Sequence, residues 1–163
     1  MRKVILVPVL LCGMSVIASA QTRITGKISC SKPSVNEMAG GGSQGIMFQK
    51  SNCTWPTPFS IDGSKPARTV DAAVGEMSGS TARIHGYSTA VMDNGDTTIV
   101  RYEGTSQMKK DRTGTAKGTW KFVHGSGKFR GISGSGTYKG ELAADGAGSA
   151  DISGHYSLPK ARK

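Results

Sequence analysis

From Arg23 onward, apolar and polar side chains alternate in short runs between clusters of turn residues. A period of two is what a strand with one buried face requires. Residues 23–30 set Ile24, Gly26 and Ile28 against Arg23, Thr25 and Lys27. Residues 69–77 and 82–92 read as two more strands, and Asp93-Asn94-Gly95-Asp96 as a hairpin turn, because Asn-Gly tolerates the positive φ such turns need. Strands follow at 97–108 and 115–123, where Trp120 and Phe122 share a face opposite Thr119 and Lys121, and then at 133–139 and 151–158.

About eight short strands with turns every ~8–12 residues describe an all-β fold, a barrel or a sandwich. A small antiparallel β-barrel is favoured because closure removes exposed edges, and glycines inside strands suit barrel corners. Residues 31–68 break the pattern. With Gly40-Gly41-Gly42 and prolines at 33, 56, 58 and 66, they read mainly as loop around a short apolar piece, Ile46-Met47-Phe48.

The first twenty residues are different in kind. Arg2 and Lys3, an apolar run from Val4 to Leu11 and Ala18-Ser19-Ala20 before Gln21 form the three parts of a secretory signal peptide. Pro8, Gly13 and Ser15 interrupt a run already too short to span ~30 Å of hydrocarbon. The expectation is cleavage after Ala20 and a secreted or periplasmic protein, with residues 21–163 forming a single domain. Taking Arg2 and Lys3 from the 21 Lys+Arg leaves 19 against 11 Asp+Glu.

Beyond Ala20 the cysteines are Cys30 and Cys53, and a pair in an exported chain implies a disulfide. Such a bridge closes a loop of about 24 residues, worth ~3.5 kcal/mol through the unfolded state. A pair of metal-binding thiolates would need further ligands nearby, and no His lies between residues 21 and 84. The only leucines in this part are Leu142 and Leu158, which rules out helical bundles. The core is expected to be thin.

Several motifs bear on family. Asn94-Gly95-Asp96, Arg101-Tyr102-Glu103-Gly104, Gly118-Thr119-Trp120-Lys121-Phe122 and the run HGSGKFRGISGSGTYKG lie between Asn94 and Gly140. Together they resemble a family of uncharacterised exported bacterial proteins. Gly125-Ser126-Gly127-Lys128-Phe129 is similar to the glycine-rich hairpin of the allene oxide cyclase and dirigent proteins. That resemblance implies an eight-stranded antiparallel barrel, allene oxide cyclase-like or more broadly calycin-like, often trimeric and with an apolar cavity. No catalytic residue of those enzymes maps onto a matching motif here, so none is carried over.

Catalytic and cofactor signatures are weak. Gly125-Ser126-Gly127-Lys128 is followed by Phe129 and a strand, whereas a phosphate loop needs Ser or Thr and then a helix. The glycine spacing does not make a dinucleotide fingerprint either. His85, His124 and His155 form no ligand pair, and no serine sits in a nucleophile elbow. No cofactor or metal is expected. At least one of Gly125, Gly127 and Gly131 should take positive φ to make the turn.

Arg101 and Glu103 lie two apart on one strand and share a face, with Val100 and Tyr102 on the other. If the aromatic face fills the barrel, they form a solvated outer pair. If the strand is reversed, they become a buried pair in a cavity, a candidate acid/base site beside Tyr102, Trp120 and Phe122. The net positive charge admits a weak anionic envelope partner, but the basic residues are dispersed, with small clusters at Lys109, Lys110 and Arg112 and at Lys160, Arg162 and Lys163. No specific nucleic-acid binding is expected, since regularly spaced stacking aromatics are absent.

These features favour a non-enzymatic barrel that binds a small apolar ligand or serves a structural role in the envelope. An isomerase or cyclase acting on a small hydrophobic substrate is the alternative, resting on fold analogy.

Overall fold

The computed structural model describes residues 21–41 and 44–159, so the signal-peptide reading and the C-terminal basic cluster lie outside the described residues. Nine strands run in chain order: β1 (Thr22–Cys30), β2 (Val35–Gly41), β3 (Gln44–Thr57), β4 (Pro66–Ser78), β5 (Thr81–Met92), β6 (Thr97–Met108), β7 (Gly114–Gly125), β8 (Ser133–Leu142) and β9 (Gly148–Ser157). Each pairs antiparallel with its neighbour from β2 through β9, and β1 pairs with β9 along its whole length. β1 also pairs with the end of β3, from Lys27↔Thr57 to Cys30↔Cys53. That second pairing closes an eight-stranded barrel with one strand, β2, left over.

β2 extends the line of β1 along the same edge of β3, from Val35↔Lys50 to Gly41↔Gln44. Cys30 and Cys53 are partners at the end of the β1–β3 seam and are joined by a disulfide. The bridge therefore staples the pairing that closes the barrel.

The loop expected over 31–68 is corrected by β2 and β3, which occupy much of it. The misleading residues stand at strand ends: Pro33 precedes β2, Pro56 falls in the last residues of β3, Pro66 opens β4, and Gly40 and Gly41 end β2. These are positions where proline removes no central ladder bond. At the β5–β6 turn, Gly95 takes φ 84° while Asn94 does not enter the positive region, so glycine alone turns the chain. Gly127 and Gly131 also take positive φ, 49° and 78°, as the turn reading requires.

One end of the barrel is packed shut. Residues 58–65 fold beneath it, with Phe59 buried and Ile61 fully buried, and the chain after β7 returns through a single 3-10 turn that buries Phe129. These side chains join Ile24, Ala90, Met92, Phe122, Ile132 and Tyr156 in the core. Lys128 ties the two closing segments together by donating from Nζ to the Asp62 carbonyl at 3.0 Å. The Asp96 carboxylate accepts the Lys128 backbone N–H at 3.1 Å, so the glycine-rich segment is held by the protein's own acid.

The other end is open. Inward-facing Ile28, Gln49, Ala73, Ile84, Ala116 and Leu142 come from the opposite strand ends and stay half-buried, in contrast to the fully buried residues below them.

Candidate functional site

A cavity of about 210 Å³ occupies the barrel interior above the closed end. Its walls are built by a repeated device, in which a large aromatic on one strand lies across glycines on the next strand or the next two. Trp120 of β7 lies over Gly136 and Gly154, and Tyr138 of β8 over Gly118 and Gly104. Tyr102 of β6 lies over Gly86, its direct partner on β5. A Cβ at any of these glycines would collide with the ring or the facing backbone, so the in-strand glycines make room for interior rings rather than only turning barrel corners.

Tyr102, after crossing β5, reaches β4. Its hydroxyl donates to Asp71 Oδ2 at 2.7 Å. The second carboxylate oxygen of Asp71 has no hydrogen-bond partner among the described residues, and Asp71 lines the cavity between its flanking partners Ser51 and Ser88. Burial pushes the Asp71 carboxyl up to about 6, against the opposing effect of the Tyr102 hydrogen bond. Burial, and then the charge of Asp71, pushes the Tyr138 hydroxyl up to about 12, and the same causes raise Tyr102 further. Both phenols therefore stay protonated at neutral pH, while the Asp71 carboxyl changes charge much nearer to neutrality than a free one.

The Tyr138 hydroxyl packs against Gly104 and is the one buried side-chain polar atom among the described residues with no hydrogen-bond partner. Leaving such a group unpaired costs about 1–3 kcal/mol. Trp55 also lines the cavity, held edge-on to Phe59 at 4.6 Å and donating from Nε1 to Thr69 Oγ1 at 2.8 Å. Around the single carboxylate the lining is apolar or neutral, with no Lys, Arg or His.

Of the residues singled out from the sequence, Tyr102, Trp120 and Phe122 line this cavity. Arg101 and Glu103 stand on the outside of the same strand as an exposed pair 3.5 Å apart. The reversed-strand alternative is thereby set aside, and the interior acid is Asp71 instead. Reading the sequence missed it because β4 places Val70, Ala72 and Val74 on the outer face and Thr69, Asp71 and Ala73 within. The available signal was an aspartate in the middle of a strand, where acids are depleted. His85, His124 and His155 are all exposed, and no group of three or more His, Cys, Asp or Glu among the described residues could hold a metal ion.

No protein-family model matches the chain, and no curated protein matches it. Among solved structures it is similar to the pterocarpan synthase dirigent protein GePTS1, with a TM-score of 0.52 at 12% identity over 90% of this chain and 96% of that one. At that identity the likeness concerns the fold alone: the protein is built as a dirigent-like β-barrel.

Proposed function

We propose that the protein is an exported, non-enzymatic barrel that binds one small, largely apolar molecule in its interior. The observation that carries this reading is the aromatic-walled cavity, closed at one end by Phe59, Ile61 and Phe129 and open at the other. A packed core would have filled this space, whereas small barrels that keep an interior void hold ligands there. The Cys30–Cys53 bridge supports the export part, since disulfides persist in oxidising compartments. The dirigent-like fold is compatible with a binding role and does not specify a ligand.

Titration with Nile red, a neutral apolar dye, tests the reading. The dye should brighten saturably at one site per barrel, and Ala116→Trp, which fills the cavity from β7, should abolish the response while the protein stays folded. Binding that survives Ala116→Trp would place the dye elsewhere and defeat the proposal.

A second reading, an isomerase or cyclase acting on a small hydrophobic substrate, draws on Asp71. A carboxyl pushed to about 6 can take and return a proton near neutral pH. Turnover of a bound substrate that vanishes in Asp71→Asn, with binding retained, would favour this reading over simple binding.

A further inference from the structure

We propose that the natural ligand is an apolar amine whose ammonium group pairs with Asp71 inside the barrel; this rests on the reading of the cavity as a ligand site. Three features of the lining select the charge of the guest. Asp71 is the sole carboxyl group in the cavity lining, and no Lys, Arg or His is part of that lining. Its titratable neighbours in the lining are Tyr102 on β6 and Tyr138 on β8, while Ser51 on β3 and Ser88 on β5 flank it without charge. One carboxylate oxygen is taken by Tyr102 and the other has no partner among the described residues.

A carboxylate held by a single phenol hydroxyl at an apolar cavity wall has its charge only partly compensated. Of the polar groups a small ligand can carry, a cation compensates the charge itself. A hydroxyl supplies one hydrogen bond and leaves the charge uncompensated, and a carboxylate is repelled. The aromatic lining adds to the selection. Trp55, Tyr102, Trp120 and Tyr138 line the cavity, and a cation seated over the negative face of such a ring is attracted to it.

The net positive charge of the chain opposes the approach of an amine, but surface charge is screened beyond ~8 Å at physiological ionic strength. It acts on the encounter rate more than on the bound state. Long-chain acids, the usual alternative guests of an apolar pocket, are disfavoured because no Lys, Arg or His waits inside.

The experiment compares 2-aminotetralin with its neutral isostere 2-tetralol, read by quenching of Trp55 and Trp120, the two tryptophans of the chain, both in the cavity wall. At pH 8 the amine should bind at least tenfold more tightly than the alcohol. The preference should disappear in Asp71→Asn and should fade in the unaltered protein below pH 6, where Asp71 takes up a proton. The pH arm tests the same point without a substitution, so a poorly folded variant does not shelter the proposal. Equal or tighter binding of the alcohol at pH 8, or a preference that survives Asp71→Asn, would overturn the amine assignment. Nile red binding without amine binding would overturn it too, leaving the cavity reading intact. Failure of every probe to enter would end both.

Discussion

The two walls of this barrel obey opposite rules. Along β6, β7, β8 and β9 the aromatic residues point inward, with Tyr102, Trp120, Phe122, Tyr138 and Tyr156 beside Ile152 against the core and charged residues such as Arg101, Glu103 and Lys121 outside, Val123 of β7 being the exposed apolar exception. Along β3 and β4 the pattern is inverted. Ile46 and Phe48 stand exposed on the outer face, while Gln49, Ser51 and Asp71 line the cavity. One wall supplies the packing that holds the barrel together, and the other supplies the polar groups that give the interior its chemistry.

A phenylalanine on each wall makes the largest expected difference. Phe122 is 9% exposed and stacks edge-on to Trp120 at 5.4 Å, whereas Phe48 is 43% exposed. Phe122→Ala should lower unfolding free energy by ~3–5 kcal/mol, as large-to-small core changes do. Phe48→Ala should cost less than ~1 kcal/mol, since it leaves no buried cavity. Urea denaturation of the two variants checks this. Equal losses would mean that the outer face of β3 is covered in solution.

The walls meet through β1, which pairs with β9 on one side and with β3 on the other. The disulfide holds the weaker seam, where the β1–β3 register shifts between Lys27 and Ser29. Replacing both cysteines by Ser should cost ~3.5 kcal/mol by loop-closure entropy and open the barrel at that seam first. Hydrogen exchange should then quicken in residues 53–57 before it quickens in β7. Intact mass with and without reduction checks that the bridge forms. An alkylatable Cys30 or Cys53 in the unreduced protein would remove it.

These contrasts show which parts of the fold were legible in the sequence. Residues 97–108 and 115–123 announce themselves because aromatic and charged residues alternate, so that one periodicity fixes both the strand and its inward face. In β3 the residues that alternate inward, Gln49, Ser51, Cys53 and Trp55, are mixed in polarity, and the apolar Ile46 and Phe48 face solvent. The usual assignment of apolar residues to the interior therefore fails there. Asp71 is hidden for the same reason, because β4 alternates its apolar Val70 and Val74 with Asp71 and so offers no polar-out, apolar-in pattern that marks the acid as interior. The aromatic half of the cavity could be anticipated from Tyr102, Trp120 and Phe122. Its acid became visible only when the register set Tyr102 opposite Gly86 and within reach of β4.

The inverted wall carries a pH signature. Because the folded-state carboxyl of Asp71 lies near 6 and the unfolded one near 3.8, ionisation opposes folding. Below the unfolded value both states are protonated and the group is neutral to stability. Between 3.8 and 6 the unfolded state ionises first, and above 6 the full penalty is in place, at most ~3 kcal/mol. Asp71→Asn keeps an oxygen for the Tyr102 hydroxyl and removes the charge. It should therefore stabilise the ligand-free protein by ~1–3 kcal/mol at pH 8 and change little at pH 4. Thermal melts at the two pH values measure the difference. A variant less stable than the parent at pH 8 would show that the charge is compensated by a group other than Tyr102.

The smallest expected effect concerns the outside of the aromatic wall. Arg101 and Glu103 sit directly behind the cavity, flanking Tyr102 on the same strand, yet their side chains are 45% and 66% exposed and pair across 3.5 Å in water. Exposed pairs of this kind contribute ~0–1 kcal/mol, because solvent screens the attraction and both side chains lose rotamer freedom. Arg101→Ala and Glu103→Gln should each shift stability by no more than ~0.5 kcal/mol. Both should leave Nile red binding unchanged, whereas Tyr102→Phe, which removes the hydroxyl donated to Asp71, should alter the pH dependence of amine binding. If Arg101→Ala changes ligand affinity while Tyr102→Phe does not, the inner and outer faces of β6 are exchanged, and the division of labour between the two walls fails at its best-defined strand.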